Sequence, residues 1–157
     1  MKYLRYFLLV LLVLLFAIQF IKPEKNNDGY RSVALFEQEI VPTIEISSIL
    51  KNNCYDCHSD QTNYPWYNHI SPINYWLQEH IEEGKKHFNV SAWEKYSARK
   101  KDHKLEELIE YVAQGEMPLN SYTWLHGDLS TQDTKTLLQW AQISRIKYKK
   151  QMLELSK

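Results

Sequence analysis

The 157-residue chain contains two cysteines, and both fall in Asn53-Cys54-Tyr55-Asp56-Cys57-His58. Two thiols at this spacing can each add across a vinyl group of one porphyrin. The imidazole directly behind the second thiol then reaches the iron from one face. Cys-x-x-Cys-His is accordingly the attachment signature of c-type haem. Three other chemistries use paired thiols. A structural zinc site needs further ligands, and His69, His80, His87, His103 and His126 show no pair at finger spacing. A thioredoxin-like dithiol sits at a strand-to-helix junction of a βαβ unit, and no such alternation is present. A plain disulfide leaves His58 without a role.

An electron-transfer haem iron takes a second axial ligand, and Gly115-Glu116-Met117-Pro118 offers one. A methionine held between a helix stop and a proline cannot slide along a regular surface, so its thioether can be aimed at one point. His/Met ligation is the electron-transfer arrangement, and the soft sulfur raises the reduction potential relative to two imidazoles. Met117 lies 59 residues after His58, enough chain to pass around a porphyrin. Of the other methionines, Met1 is the initiator and Met152 lies in a charged end. A core methionine filling a gap is the alternative reading of Met117. His126, in Tyr122-Thr123-Trp124-Leu125-His126-Gly127, is the rival sixth ligand. Its expected role is instead structural, or a bond to a propionate from behind the ligands. His80 falls on an apolar helix face and is given no role.

Several elements must position these residues. Ile46, Ile49 and Leu50 recur at helical spacing up to the motif, which predicts a helix delivering its carboxyl end to the haem. Tyr55 and Asp56, between the cysteines, are expected to shape the exposed haem edge. Residues 59–69 are turn-rich and then aromatic, with Tyr64, Trp66 and Tyr67, and read as a loop folding over the cofactor. Ser71-Pro72 predicts a helix start with Ser as cap, followed by one face of Ile73, Trp76, Leu77, His80, Ile81 and Gly84. Ser91-Ala92-Trp93-Glu94 reads as a capping box and residues 99–104 as a solvated basic run. Leu105, Leu108, Ile109 and Val112 trace another amphipathic helix, with Gly115 just past its end. Ser130-Thr131-Gln132-Asp133 caps a last helix bearing Thr134, Leu137, Leu138 and Ala141, with a basic tail from Arg145.

The formal net charge is zero, yet residues 23–144 hold 11 basic and 18 acidic side chains, a formal −7. An acidic body argues against nucleic acid as a partner. Ahead of it, Lys2 and Arg5 precede Tyr6 to Ile21, 16 residues without a charge. That pattern is an export signal, and Ala17-Ile18-Gln19-Phe20-Ile21-Lys22 offers no small-residue cleavage site. At ~1.5 Å per residue the run spans about 24 Å, a little short of a hydrocarbon core. An uncleaved single-pass anchor in the cytoplasmic (inner) membrane is therefore expected, its basic amino end inside and the body on the periplasmic, outer side. Haem is joined to Cys-x-x-Cys-His outside the cytoplasm in bacterial cytochromes of this kind. The expected organisation is an anchor at 1–22, a tether at 23–42 lifting the domain off the membrane, a haem domain at 43–144 and a basic tail at 145–157.

Taken together, the chain resembles the bacterial haem-binding domain family of small cytochrome c-like proteins. The resemblance rests on Asn53 to Ser59, Tyr64-Pro65-Trp66-Tyr67, Ser71-Pro72-Ile73, residues 89–96, Gly115-Glu116-Met117-Pro118-Leu119, residues 121–126 and Trp140-Ala141. It implies one haem c covalently held by Cys54 and Cys57, with His58 and Met117 on the iron. The expectation is an all-α, cytochrome c-like domain behind a transmembrane helix. It passes single electrons between redox partner proteins and is not an enzyme. The alternatives are a haem-based sensor or peroxidase-like protein with a displaceable sixth ligand, and a zinc-binding module.

Overall fold

The computed structural model describes residues 2–155, and every regular element in them is helical. In chain order these are α1 (Lys2–Ala17), α2 (Ala34–Ile40), α3 (Ile44–Asn53), α4 (Tyr55–His58), α5 (Ile73–His87), α6 (Ala98–Ala113), α7 (Asn120–His126) and α8 (Thr131–Leu155). Short 3-10 turns lie at Ile18–Phe20, Tyr30–Val33, Trp66–His69 and Val90–Lys95. The expected all-α class is what the chain adopts.

Helix α1 buries none of its side chains, and Lys2–Phe20 is long and apolar enough to cross a membrane. The rest closes around an aromatic centre. Trp93 is fully buried and meets Phe36, Phe88, Tyr96 and Tyr148 edge-on, with ring centroids 5.1 to 6.1 Å apart. Edge-to-face packing suits the ring quadrupoles, and the polar handles of Trp93 and Tyr148 are satisfied. Trp93 Nε1 donates to the Tyr148 hydroxyl at 3.0 Å, which donates to Glu39 Oε1 at 2.8 Å. Around this centre α6 lies along α8, and Ile46 and Leu50 of α3, Leu105 of α6 and Leu137 of α8 fill the remaining space.

Helix starts and stops follow the sequence in part. Thr43 caps α3, accepting from the Ile46 N–H at 3.3 Å, and Ser130 accepts from the Asp133 N–H at 3.0 Å at the start of α8. Gly115 follows α6 in the left-handed region, at φ 72°, as a C′ glycine does. Two caps differ. At Val90–Lys95 the cap is Asn89, because the Ser91 hydroxyl is taken by the Asp60 N–H and by Ser32. Ser71 does not cap α5: Pro72 stands at the cap position, the Ser71 hydroxyl has no hydrogen-bond partner among the described residues, and its N–H and carbonyl are bonded by the Gln19 side chain.

Three expectations from composition give way to packing. Val33 and Phe36, inside the expected tether, are core residues, and Asn26 is bonded to Ser59, Thr62 and Tyr64. Lys101, inside the supposedly solvated basic run, is buried and ion-paired with Glu39 at 2.7 Å. The basic tail is the second half of α8: Arg145 pairs with Asp102 and Glu106, and Tyr148 reaches the Trp93 centre.

Candidate functional site

A cavity of ≈ 520 Å3 opens between α4, α5, α6 and the segment leading into α7. This size lies within the range of about 300–1,000 Å3 typical of small-molecule and cofactor sites. Its walls are largely apolar, with Trp76, Phe88, Leu108, Tyr111, Val112 and Leu137 among them. Cys54, Cys57, His58 and Met117 all line it.

The motif is held by the junction of α3 and α4. Cys54 leaves helical geometry, at φ −126° and ψ −46°, yet its N–H still closes the last turn of α3 onto Leu50 at 2.9 Å. The Cys57 and His58 N–H groups then both bond the Cys54 carbonyl, at 3.2 and 2.9 Å, winding the motif into one tight turn. That turn packs on α5 at Gly84. A Cβ there would stand 2.7 Å from the Cys57 carbonyl oxygen and 3.1 Å from Cys57 Cβ, so only glycine lets the two backbones approach this closely.

The close approach decides the chemistry of His58. Its Nδ1 lies 2.9 Å from the Gly84 carbonyl oxygen and 2.8 Å from that of Phe88. Both are acceptors, so Nδ1 carries the proton and Nε2 keeps its lone pair for the cavity. Burial lowers the His58 pKa, against the pull of these two carbonyls, and keeps the ring neutral. A neutral imidazole fixed through Nδ1 is the ligand form of histidine.

Both thiols are free, and burial pushes each up to about 12, with the Asp56 charge adding to the shift. Redox-active dithiols need the opposite shift, toward a low-pKa thiolate. Among the described residues no three His, Cys, Asp or Glu side chains gather into a metal-binding group. A zinc site therefore lacks its remaining ligands.

Met117 is placed by the end of α6. Past Gly115 the chain folds back, and the Glu116 and Met117 N–H groups both bond the Tyr111 carbonyl, at 2.9 and 3.2 Å. The thioether is partly buried against the core while bordering the cavity. His126 does not line this cavity. Its ring stacks flat on Tyr122, centroids 4.2 Å apart, and its Nε2 lies 3.2 Å from the Tyr67 hydroxyl.

Tyr55 and Asp56 do not form an exposed edge, because both point inward. Tyr55 is buried and donates to Glu37 at 3.0 Å. Asp56 is buried but still borders the cavity beside the cysteines, accepting from the Asn63 N–H at 2.8 Å and from the Tyr122 hydroxyl at 3.1 Å. Burial raises its pKa, against the opposing effect of these bonds and of His126.

The aromatic loop is also displaced from its expected place. Tyr64, Trp66 and Tyr67 do not border the large cavity, and its aromatic walls come from α5, α6, α7 and Phe88. What reading the sequence missed is the pair of carbonyls on His58. The signal for one was a glycine on the inward face of an otherwise well-formed helix at position 84.

The residues present fit a covalently attached haem: an apolar cavity, two thiols, a neutral imidazole with one free nitrogen, and a thioether. A family model described as a haem-binding domain matches residues 13–143. No curated protein and no solved structure matches the chain. The match spans most of the sequence and contains the whole cavity, and the chain belongs to the haem-binding domain family.

Proposed function

We propose that this protein is a membrane-anchored monohaem c-type cytochrome that passes single electrons outside the cytoplasm. When bound, the haem supplies a one-electron iron couple. Cys54 and Cys57 would hold it as thioethers, His58 Nε2 and the Met117 sulfur would be the side chains offered to its iron, and α1 would fix the protein in the membrane. The Gly84 and Phe88 carbonyls keep the imidazole in one orientation and make it a better donor. The lining is largely apolar by area, and low polarity together with a thioether ligand favours a high potential. Electron transfer needs no substrate pocket beyond this one, which is why it is preferred over catalysis. The observation that carries the reading is that Cys54, Cys57, His58 and Met117 border one cavity while His126 lies outside it.

The test is an optical spectrum of the full-length protein made in a host that matures c-type cytochromes. The expected result is the sharp reduced α band of haem c, with an oxidised near-infrared band from sulfur-to-iron charge transfer. Met117→Ala is expected to keep the haem and lose that band. A colourless protein defeats the haem reading. Haem without the sulfur band in the wild type defeats Met117 as ligand, and rapid carbon monoxide binding would then favour a sensor or peroxidase-like protein.

A further inference from the structure

The expected tether is pinned, and the place where it is pinned has a consequence for the membrane. Gln19, in the last turn of the membrane-length helix, donates through Nε2 to the Ser71 carbonyl at 2.8 Å and accepts through Oε1 from the Ser71 N–H at 2.9 Å. Lys22 Nζ donates to the His69 carbonyl at 2.8 Å, and the Tyr75 hydroxyl donates to the Ile21 carbonyl at 3.1 Å. The same Gln19 Nε2 also donates to the Leu15 carbonyl, so the segment around Ser71 abuts the end of the apolar helix itself.

The side chains beside these contacts are apolar and exposed. Trp66 is 73 % exposed, Ile70 41 % and Ile73 38 %. Phe16, Phe20 and Ile21 at the end of the apolar helix are exposed as well. Tryptophan next to a membrane span is the residue of the lipid–water boundary, its ring apolar and its N–H able to bond at headgroup level. Lys22 is the cation that a phosphate layer would meet at the same level.

We propose that Trp66, Ile70 and Ile73 form a lipid-facing seat that rests in the headgroup region of the bilayer α1 enters. The occupant is the membrane surface, because the segment that carries this patch is hydrogen-bonded to the end of the membrane-length helix itself. The proposal rests on α1 being an anchor that stays in place. The seat fixes the height of the cofactor cavity: Trp76, one helical turn beyond Ile73, already borders it, a rise of about 4.5 Å along α5. The haem then works at the membrane surface instead of at the end of a flexible leash.

The test uses the wild-type holoprotein in phosphatidylcholine vesicles whose lipids carry a photoactivatable diazirine high on one acyl chain, with lipid adducts mapped by peptide mass spectrometry. Adducts are expected on α1 and on the peptide spanning Trp66 to Ile73. The exposed Ile143 and Ile146 of α8 should stay free of them. Gln19→Ala is expected to reduce the Trp66–Ile73 adducts several-fold and leave those on α1 unchanged. Adducts on α1 alone overturn the seat while sparing the anchor. Absence of adducts on α1 overturns the anchor and the seat with it. Haem absorbance of the same sample reports separately on the cofactor reading.

Discussion

Gly84→Ala separates two opposite expectations by the sign of one number. In the middle of an ordinary helix, replacing glycine by alanine stabilises by about 1 kcal/mol, because glycine has the larger entropy loss on folding. At position 84 the added methyl meets the Cys57 carbonyl oxygen at 2.7 Å and Cys57 Cβ and C at 3.1 and 3.2 Å, two of the three being rigid backbone atoms. Overpacking of this kind costs about 1–3 kcal/mol. Pushing α5 off α4 also stretches the 2.9 Å bond from His58 Nδ1 to the Gly84 carbonyl, worth roughly 0.5–1.5 kcal/mol net. Less the ~1 kcal/mol helix gain, the net is a loss of about 0.5–3.5 kcal/mol, or a fall in Tm of roughly 2–11 °C for a domain of this size. The assay is thermal unfolding of the full-length protein followed by far-ultraviolet circular dichroism, with haem content per protein measured in parallel. Haem loading should fall too, because the same displacement turns the His58 ring. A variant with unchanged or raised Tm and full haem content would refute the claim that Gly84 exists to let α5 touch the motif.

Two further perturbations probe the supports behind the site. Glu39→Ala removes the acceptor of Lys101 Nζ, at 2.8 and 2.7 Å, and of the Tyr148 hydroxyl, leaving a buried ammonium unpaired, so a loss of about 3 kcal/mol is expected. A melt unchanged from wild type would show that the pair is dispensable. Asp56→Asn keeps an acceptor for the Asn63 N–H and turns an amide N–H toward the Tyr122 hydroxyl, which still has the Asn52 carbonyl at 2.9 Å to donate to, while it removes a charge that burial disfavours. Below pH 3.8 the wild-type carboxyl is protonated in both the folded and the unfolded chain. As pH rises past that point the unfolded chain ionises first, so wild type loses stability relative to the variant until the raised folded value is passed. The Tm of the Asp56→Asn variant minus that of wild type should therefore grow more positive from acid toward neutral pH, and a flat difference would refute a raised carboxyl.

The gathering of Cys54, Cys57 and His58 in one turn, the Met117 loop and the helical class are legible because each is a local pattern: a residue spacing, a helix stop before a proline, a repeat of apolar residues. What escaped was long-range. Nothing near Val33 or Phe36 says that Trp93 will pack against them, so a polar stretch with one proline and one glycine looked like a leash. Lys101 and Arg145 read as solvated charges in the sequence, because their partners Glu39 and Asp102 lie far from them along the chain. The tail did carry a usable signal. Leu137, Ala141 and Tyr148 continue one stripe along α8, and all three are fully buried. Hydrophobic period was the better guide there, and net charge the worse one. The cysteine-flanking residues failed for a related reason: Tyr55 and Asp56 look exposable by type, but one tight turn puts both on the inner side of the motif.

Helix α5 joins the two ends of the functional argument. Its first turn follows directly on Ser71, which Gln19 fixes to the apolar helix, and Trp76 and His80 border the cavity. Its last turns supply the approach at Gly84 and one of the two carbonyls that set the His58 tautomer. From Ile73 to Gly84 the rise is about 16 Å. A rigid rod of that length transmits the position of its first turn to its last, whereas a flexible linker of twenty residues would let the domain wander by about 25 Å. On the proposed reading, His58 and the lipid-facing patch are thus held by one element. Loosening Gln19 should change where the cavity sits without changing what it binds, while loosening Gly84 should do the reverse.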